Sequence, residues 1–279
     1  VEVLPRPLVL RSAMLDAWGV PHCFTTRVGG HSTGVFATLN FGNPSELPVG
    51  DSRRDPPETI ARNIELVLHA MGTLGREVVQ VHQVHGDGVH VVRVGEATHA
   101  ANGVTTKADA IVTDDAGRVA CVRVADCAPV LIAGRSRGGV VGVAAVHAGW
   151  RGCVAGVAER AVERLRALGA AEFVAAVGPC IGREAFEVGP EVAAAFQERF
   201  GSGTALVRER GGQKFDVYLA GALCEQLRGS GVAAEAVGGC TASDAERFFS
   251  HRRDRGLTGR MAGFVGMPGS EVTPPLRPC

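Results

Sequence analysis

The sequence predicts an α+β fold, and three observations carry that prediction. Runs rich in Val and Ala cluster between residues 78 and 149, whereas helical periodicity dominates afterwards, so strands and helices segregate along the chain rather than alternate. One of those runs, GVVGVAAVHAG at 139–149, is apolar at both parities, as a strand covered on both faces must be. The 279 residues, 46% hydrophobic and 21% charged, suffice for a sizeable core and exclude wholesale disorder.

Taken in order, the elements follow from local chemistry. Residues 42–57, GNPSELPVGDSRRDPP, form a polar, Pro-rich loop. The segment Pro57 to Met71 opens with proline at a helix start and repeats apolar residues at helical spacing. In VVQVHQVHGDGVHVVRV, at 78–94, strand formers flank a Gly-Asp-Gly turn, which predicts a hairpin or tight bend. ADAIVTD at 108–114 and VACVRVADC at 119–127 read as further strands. Gly152 to Leu168 carries one amphipathic helix, with Glu159, Glu163, Arg160, Arg164 and Arg166 on its wetter side. FVAAVGPC reads as a short buried strand; PEVAAAFQERF and FDVYLAGALCEQL read as helices. AAEAVGG, a polar loop with FFSHRRDRG, and a final strand RMAGFVGM complete the chain. Without a linker or internal repeat, residues 1–279 are expected to form one domain with a flexible tail over 268–279.

Charge and motifs narrow the function. Lys plus Arg and Asp plus Glu are each 29, so the basic excess of a nucleic-acid binder is missing. No apolar run is long enough to span a bilayer, and no signal peptide is visible, so a cytoplasmic protein without membrane contacts is expected. The cysteines at 23, 121, 127, 153, 180, 224, 240 and 279 include no Cys-x-x-Cys pair, and most are expected to be reduced, buried thiols. P-loop, Gly-x-Ser-x-Gly, His-Glu-x-x-His and Gly-x-Gly-x-x-Gly signatures are all missing.

What remains is His and Cys at the ends of β-runs. His85 meets the Gly-Asp-Gly turn, Cys127 ends its strand just before Pro129, and His147 closes the strand at 139–149. Strand ends beside Gly-rich turns expose a side chain to a cleft while the scaffold holds it still. Two imidazoles and a thiolate are three ligands suited to Zn²⁺ or copper, with a fourth position open for chemistry. Taken singly, each also fits a hydrogen-bonded or apolar core residue. On a regular strand His82 and His85 would point to opposite faces, so only one of them could join such a site. His90, His99 and His251 read as loop or surface residues.

Eight phrases then occur in one order: FTTRVGGHSTGVFATLNFG, QVHG, ADAIVTD, ADCAPVLIA, VHAGWRG, GPCIGREAFEVG, FDVYLA and FFSHRRDRGLTGRMAGFVG. From about Phe24 to Met267 the chain resembles the YfiH-like, laccase-domain family, also called multicopper polyphenol oxidase or peptidoglycan editing factor. The resemblance implies a bifurcated β-sandwich flanked by helices, and a metal centre whose ligands fall on His85, Cys127 and His147. It implies a monomer acting on a small-molecule nucleoside and phosphate: zinc-dependent phosphorolysis of adenosine, inosine or methylthioadenosine, together with adenosine deamination. It also implies two alternatives, editing of peptidoglycan precursors and copper-dependent polyphenol oxidation.

A multicopper oxidase needs many histidines, whereas these nine are scattered with no His-x-His pair. The His-x-Glu motif of zinc deaminases is missing, which leaves Asp126 as the candidate acid/base, although strand alternation would aim it away from Cys127. Arg27 and Arg151 are candidates for the phosphate, and Ser32 and Asn40 for sugar or phosphate; all four also fit loop capping or surface roles. An amidase would use Cys127 as nucleophile and His147 as base. Two departures from the family pattern, GRSRGG in the turn before residue 140 and Arg-Glu-Ala in GPCIGREAFEVG, leave the three ligand positions untouched.

Overall fold

The structure, a computed structural model, describes residues 5–96 and 106–269. His99, Cys279 and most of the tail expected at 268–279 lie outside the described residues.

Two sheets face each other. The first has five strands in the order β1 (Val9–Leu10), β2 (His22–Thr25), β14 (Met261–Gly266), β6 (Arg118–Val124), β3 (Glu77–Val79). The second has six, in the order β13 (Ala233–Ala236), β9 (Glu172–Val177), β7 (Ala128–Ser136), β8 (Gly139–Ala148), β5 (Ala110–Thr113), β4 (Val89–Val92). Between them lies a core built from alternate positions: Phe24, Ala120, Val122 and Val265 from the first sheet, Ile111, Leu131, Val143, Ala145 and Ala176 from the second. The intervening residues point outward and are covered in turn. Helix α2 (Pro57–Ala70) packs Val67 and Leu68 over Cys121, Ala262 and Phe264 on the first sheet. Helices α3 (Trp150–Ala155) and α4 (Val157–Ala167) cover Val130, Ala144 and Val146 on the second, and α6 (Leu219–Gly229) covers β9 and β13. Both faces of β8 are therefore dry, which is why its sequence does not alternate.

The remaining elements are α1 (Ala13–Ala17), which lies against β9; α5 (Pro190–Phe200); and a small sheet in the order β10 (Glu187–Val188), β12 (Lys214–Val217), β11 (Val207–Gly211). The α+β class predicted from the sequence is the class observed.

Three local expectations are corrected. The strands on either side of Gly86-Asp87-Gly88 are not a hairpin: β3 runs parallel to β6 in the first sheet and β4 parallel to β5 in the second, so residues 80–88 cross from one sheet to the other. The helix expected over 152–168 is two helices, because Gly156 takes the left-handed conformation (φ 83°) that ends α3 and starts α4. In FDVYLAGALCEQL the first three residues belong to β12, and the helix starts only at Leu219. All seven described cysteines are free thiols.

Candidate metal centre and its cavity

Two chain crossings between the sheets build the site. The first is the 80–88 segment. His85 sits in it at φ 61°, a conformation uncommon for a residue with a Cβ. A buried carboxylate stabilises that turn. Asp109 Oδ1 accepts from His85 N (2.9 Å), and its Oδ2 accepts from Gly86 N (2.7 Å) and Val84 N (3.3 Å). Three successive amides thus converge on one carboxylate. The same Asp109 Oδ1 lies 2.8 Å from His147 Nδ1, and His147 N donates to the Asp109 carbonyl at 2.7 Å. One side chain therefore sets both the turn that carries His85 and the ring orientation of His147.

The second crossing is three residues long. β6 ends at Val124 in the first sheet and β7 starts at Ala128 in the second, so Ala125, Asp126 and Cys127 turn the chain between them. Asp126 has φ 80°, which breaks the alternation assumed from the sequence. Its carboxylate is engaged by Thr241 Oγ1 (2.6 Å), Ser250 Oγ (3.0 Å) and the Arg252 amide (2.6 Å), so it fastens the 241–252 segment beside the site.

His85, Cys127 and His147 present ligand atoms that all lie within 4.8 Å of one another, and the two imidazoles meet edge to face with centroids 4.8 Å apart. A tetrahedral ion with bonds of 2.0–2.3 Å sets such donors about 3.5 Å apart, so a small contraction would close the set. The tautomer fits as well. With Nδ1–H donated to Asp109, the His147 Nε2 lone pair is free for an ion, the usual carboxylate–histidine–metal arrangement. Gly149 supplies the room. Its φ of −76° suits any residue, but a Cβ there would sit 3.0 Å from Cys127 Sγ and 3.2 Å from the His85 ring. Electrostatics agree. Burial would raise the Cys127 thiol pKa, but His147, then His85, beside it bring it down to about 6. Burial would lower the pKa of His147, yet the Cys127 sulfur and the Asp109 carboxylate hold it above its ordinary value, so an ion bound at Nε2 would displace a proton.

The cluster opens on a cavity of about 460 Å³, ordinary for a small-molecule site. Trp150, Ile181, Phe186 and Leu219 line it with apolar surface, and Arg123, Arg151, Arg252 and Arg260 are its arginines, against one acidic residue among the described lining, Asp126. Arg151 lies against the Trp150 ring, 4.4 Å from its centroid. His82 and His251 also line the cavity. His82 reaches it together with His85 because the 80–88 crossing is not a regular strand.

Arg27, Ser32 and Asn40 do not line it, contrary to the expectation that they meet substrate. Arg27 donates to the Ala37 and Ala245 carbonyls and stacks on Phe249. Ser32 and Asn40 both donate to Asp55 Oδ2, at 2.6 and 2.7 Å, in a buried network completed by Asn63. Asn40 Oδ1 in turn accepts from the Arg260 amide at 2.7 Å, so this network acts on the cavity by fixing the backbone of Arg260. Sequence reasoning passed over Asp109. Its signal was an acid inside the apolar run ADAIVT, which must find donors once buried.

The sequence profile of the family described as multi-copper polyphenol oxidoreductase laccase matches residues 21–268. A Deinococcus radiodurans protein named purine nucleoside phosphorylase is 39% identical over 254 residues, covering 90% of this chain and 91% of that one. The Escherichia coli K12 protein named purine nucleoside phosphorylase YfiH is 38% identical over 88% of this chain and 93% of its own. Among solved structures, a Neisseria meningitidis protein superposes with a TM-score of 0.76 at 33% identity, covering 95% of this chain and all of that one. Bacillus licheniformis YfiH gives a TM-score of 0.80 at 28% identity, with 94% and 97% covered. With the match running from β2 through β14 and across both crossings that carry His85 and Cys127, the chain belongs to the multi-copper polyphenol oxidoreductase laccase family.

Proposed function

We propose that the protein is a zinc-dependent purine nucleoside phosphorylase acting on adenosine, inosine or methylthioadenosine, with His85, Cys127 and His147 as the metal ligands. The observation that carries this reading is the Asp109-braced His–Cys–His cluster opening on a cavity that is apolar on one part and cationic on another. Relatives named purine nucleoside phosphorylase at 38–39% identity support it. In phosphorolysis a phosphate oxygen bonds to C1′ as the C1′–N9 bond breaks; the electron pair leaves on N9, which takes up a proton. A purine suits the apolar surface of Trp150, Phe186 and Leu219, while the arginines of the cavity, Arg151 among them, favour an anion. Bound zinc would supply Lewis-acid charge at the reacting end. Asp109 would keep His147 in the tautomer that leaves Nε2 free, and the Gly149 gap would keep the ligand set open.

Adenosine deamination would draw on the same ligands. Its acid/base group would be Asp126, whose carboxylate already accepts three hydrogen bonds, so phosphorolysis is the better-supported reaction. Copper-dependent polyphenol oxidation by a multicopper mechanism finds one three-ligand cluster among the described residues, fewer than that chemistry uses. The amidase reading has one specific observation in its favour. Cys127, His147 and Asp109 form a thiol–imidazole–carboxylate series in which the thiol is lowered and the imidazole raised.

Metal analysis of the purified protein, with adenosine turnover followed in the presence and absence of phosphate, separates these. Near-stoichiometric zinc, phosphate-dependent release of adenine, and loss of both in a folded Cys127→Ser variant are expected. Full turnover by a metal-free Cys127→Ser protein would overturn the reading. Ammonia release without phosphate would favour deamination, and cleavage of cell-wall peptides by metal-free wild type would favour the amidase.

A further inference from the structure

We infer that Arg123 and Arg260 form the subsite that holds inorganic phosphate, a tetrahedral oxyanion gripped between two guanidinium groups at the mouth of the first sheet. This rests on the phosphorylase reading for its role in turnover, but the anion site itself does not.

The two arginines are neighbours only because of strand pairing. β14 runs antiparallel to β6 with Ala262 opposite Arg123, and Arg260 lies two residues before Ala262, on the same face and one diagonal step away. That face is the one α2 covers at Val119 and Cys121. By Arg123 the helix layer has ended and the side chain reaches the cavity instead. Both arginines converge on Gly42: a Cβ there would lie 3.4 Å from Arg123 Cδ and Nη1 and 3.5 Å from Arg260 Cγ.

Two like charges held this close need an explanation. No carboxylate forms an ion pair with either one among the described residues, and the Arg123 guanidinium makes no hydrogen bond there. Arg260 donates Nη1 to the Thr258 and Gly259 carbonyls, at 2.9 and 3.1 Å, which orients the group without neutralising it. Burial disfavours its charge most; Glu46 offsets part of that, the neighbouring Arg123 adds to it, and Cys127 and Asp126 offset a little more. An exposed pair would simply splay apart into water. Here the backbone on each side is clamped. Gln83 brackets Arg123 with two hydrogen bonds, Nε2 to the Arg123 carbonyl (2.7 Å) and Arg123 N to Oε1 (2.9 Å), and Asn40 holds the Arg260 amide. Two forked donors on clamped backbones, neither of them in a direct ion pair among the described residues, are an arrangement that binds a phosphate by charge-assisted hydrogen bonds. The same cavity contains the metal ligands, and Arg260 feels the Cys127 sulfur electrostatically, so an anion here lies within the reaction chamber. Bound there, phosphate would present an oxygen to C1′ while the arginines hold its other oxygens.

The test uses Arg123→Met and Arg260→Met, which keep an unbranched apolar stem, and the corresponding Lys variants. Initial rates of adenosine phosphorolysis are measured against phosphate and adenosine separately. Each Met variant should raise the phosphate KM about tenfold or more, with the adenosine KM changed by less than about threefold, zinc content unchanged, and partial recovery in the Lys variants. A phosphate KM within about twofold of wild type in both Met variants overturns the assignment. Calorimetric titration of each protein with inorganic phosphate decides the case even if wild type turns over no nucleoside. Binding to wild type that weakens in both variants keeps the oxyanion subsite while the phosphorylase reading fails; binding equal in all proteins, or in none, rejects the subsite. Because the Arg123 side chain makes no hydrogen bond to the fold, its variant remains a valid test if Arg260→Met does not fold.

Discussion

Two buried aspartates flank the centre, and their difference separates what builds the site from what operates it. Asp109 and Asp126 both stand second in an Ala-Asp pair at an end of a β-run, and each accepts hydrogen bonds around a left-handed turn. Asp109 reaches a ring nitrogen of His147, whereas Asp126 reaches only hydroxyls and an amide of the 241–252 segment. On the proposed function the first would tune the basicity and orientation of His147; the second fastens the fold beside the cavity. Sequence proximity to Cys127 points to Asp126, whereas the carboxylate bonded to the cluster is Asp109.

That contrast can be broken most severely at Asp109. Asp109→Asn keeps the volume but swaps one acceptor oxygen for a donor facing amides and His147. It should cost 10- to 100-fold in zinc affinity, read by competition with a chelator, and lower turnover in step. Gly149→Ala comes next. A methyl group pressed against Cys127 Sγ and the His85 ring should weaken zinc binding about tenfold, with a far-ultraviolet spectrum and cooperative melt like wild type. Asp126→Asn should behave oppositely, losing about 1–3 kcal/mol in denaturant unfolding while zinc affinity stays within about threefold. Equal loss of zinc in the Asp109 and Asp126 variants would erase the distinction. The smallest effect is in acid. Burial would raise the Asp109 pKa, but the His147 and Gly86 hydrogen bonds outweigh it and hold the carboxyl below its ordinary value. Its stabilisation is therefore complete above the unfolded carboxyl pKa and fades as pH falls through the lower folded one. Unfolding measured stepwise from pH 5 to 3 should show a shallower stability loss in Asp109→Asn than in wild type.

The three residues of the cluster are legible because each is a His or Cys at the end of an apolar run beside a turn residue. Most elements were legible for the same local reason, down to Pro57 opening α2 and the apolar β8. What could not be read is which sheet a strand joins. Periodicity gives the face of a strand but not its neighbour, so the 80–88 crossing looked like a hairpin and His82 seemed turned away from His85. The Arg123–Arg260 pair is hidden for the same reason, since only the β6–β14 register makes neighbours of residues so distant in sequence. The sequence offers Ser32 and Asn40 as candidates for sugar or phosphate, but their partners in the fold, Asp55 and Asn63, lie on a loop and a helix that the local pattern does not connect to them.

The placement of His85 and Cys127 on the two crossings has a mechanical consequence. His85 and Cys127 each belong to a strap passing from one sheet to the other, and His147 ends a strand of the second sheet. An ion held by all three would be a rivet through the seam of the sandwich. It resists the sheets sliding past each other, and its binding free energy adds to resistance against unfolding in proportion to the logarithm of free metal. Stripping the metal should therefore loosen the sandwich at the seam first, with faster amide exchange at residues 84–86 and 125–127 than in the outer helices.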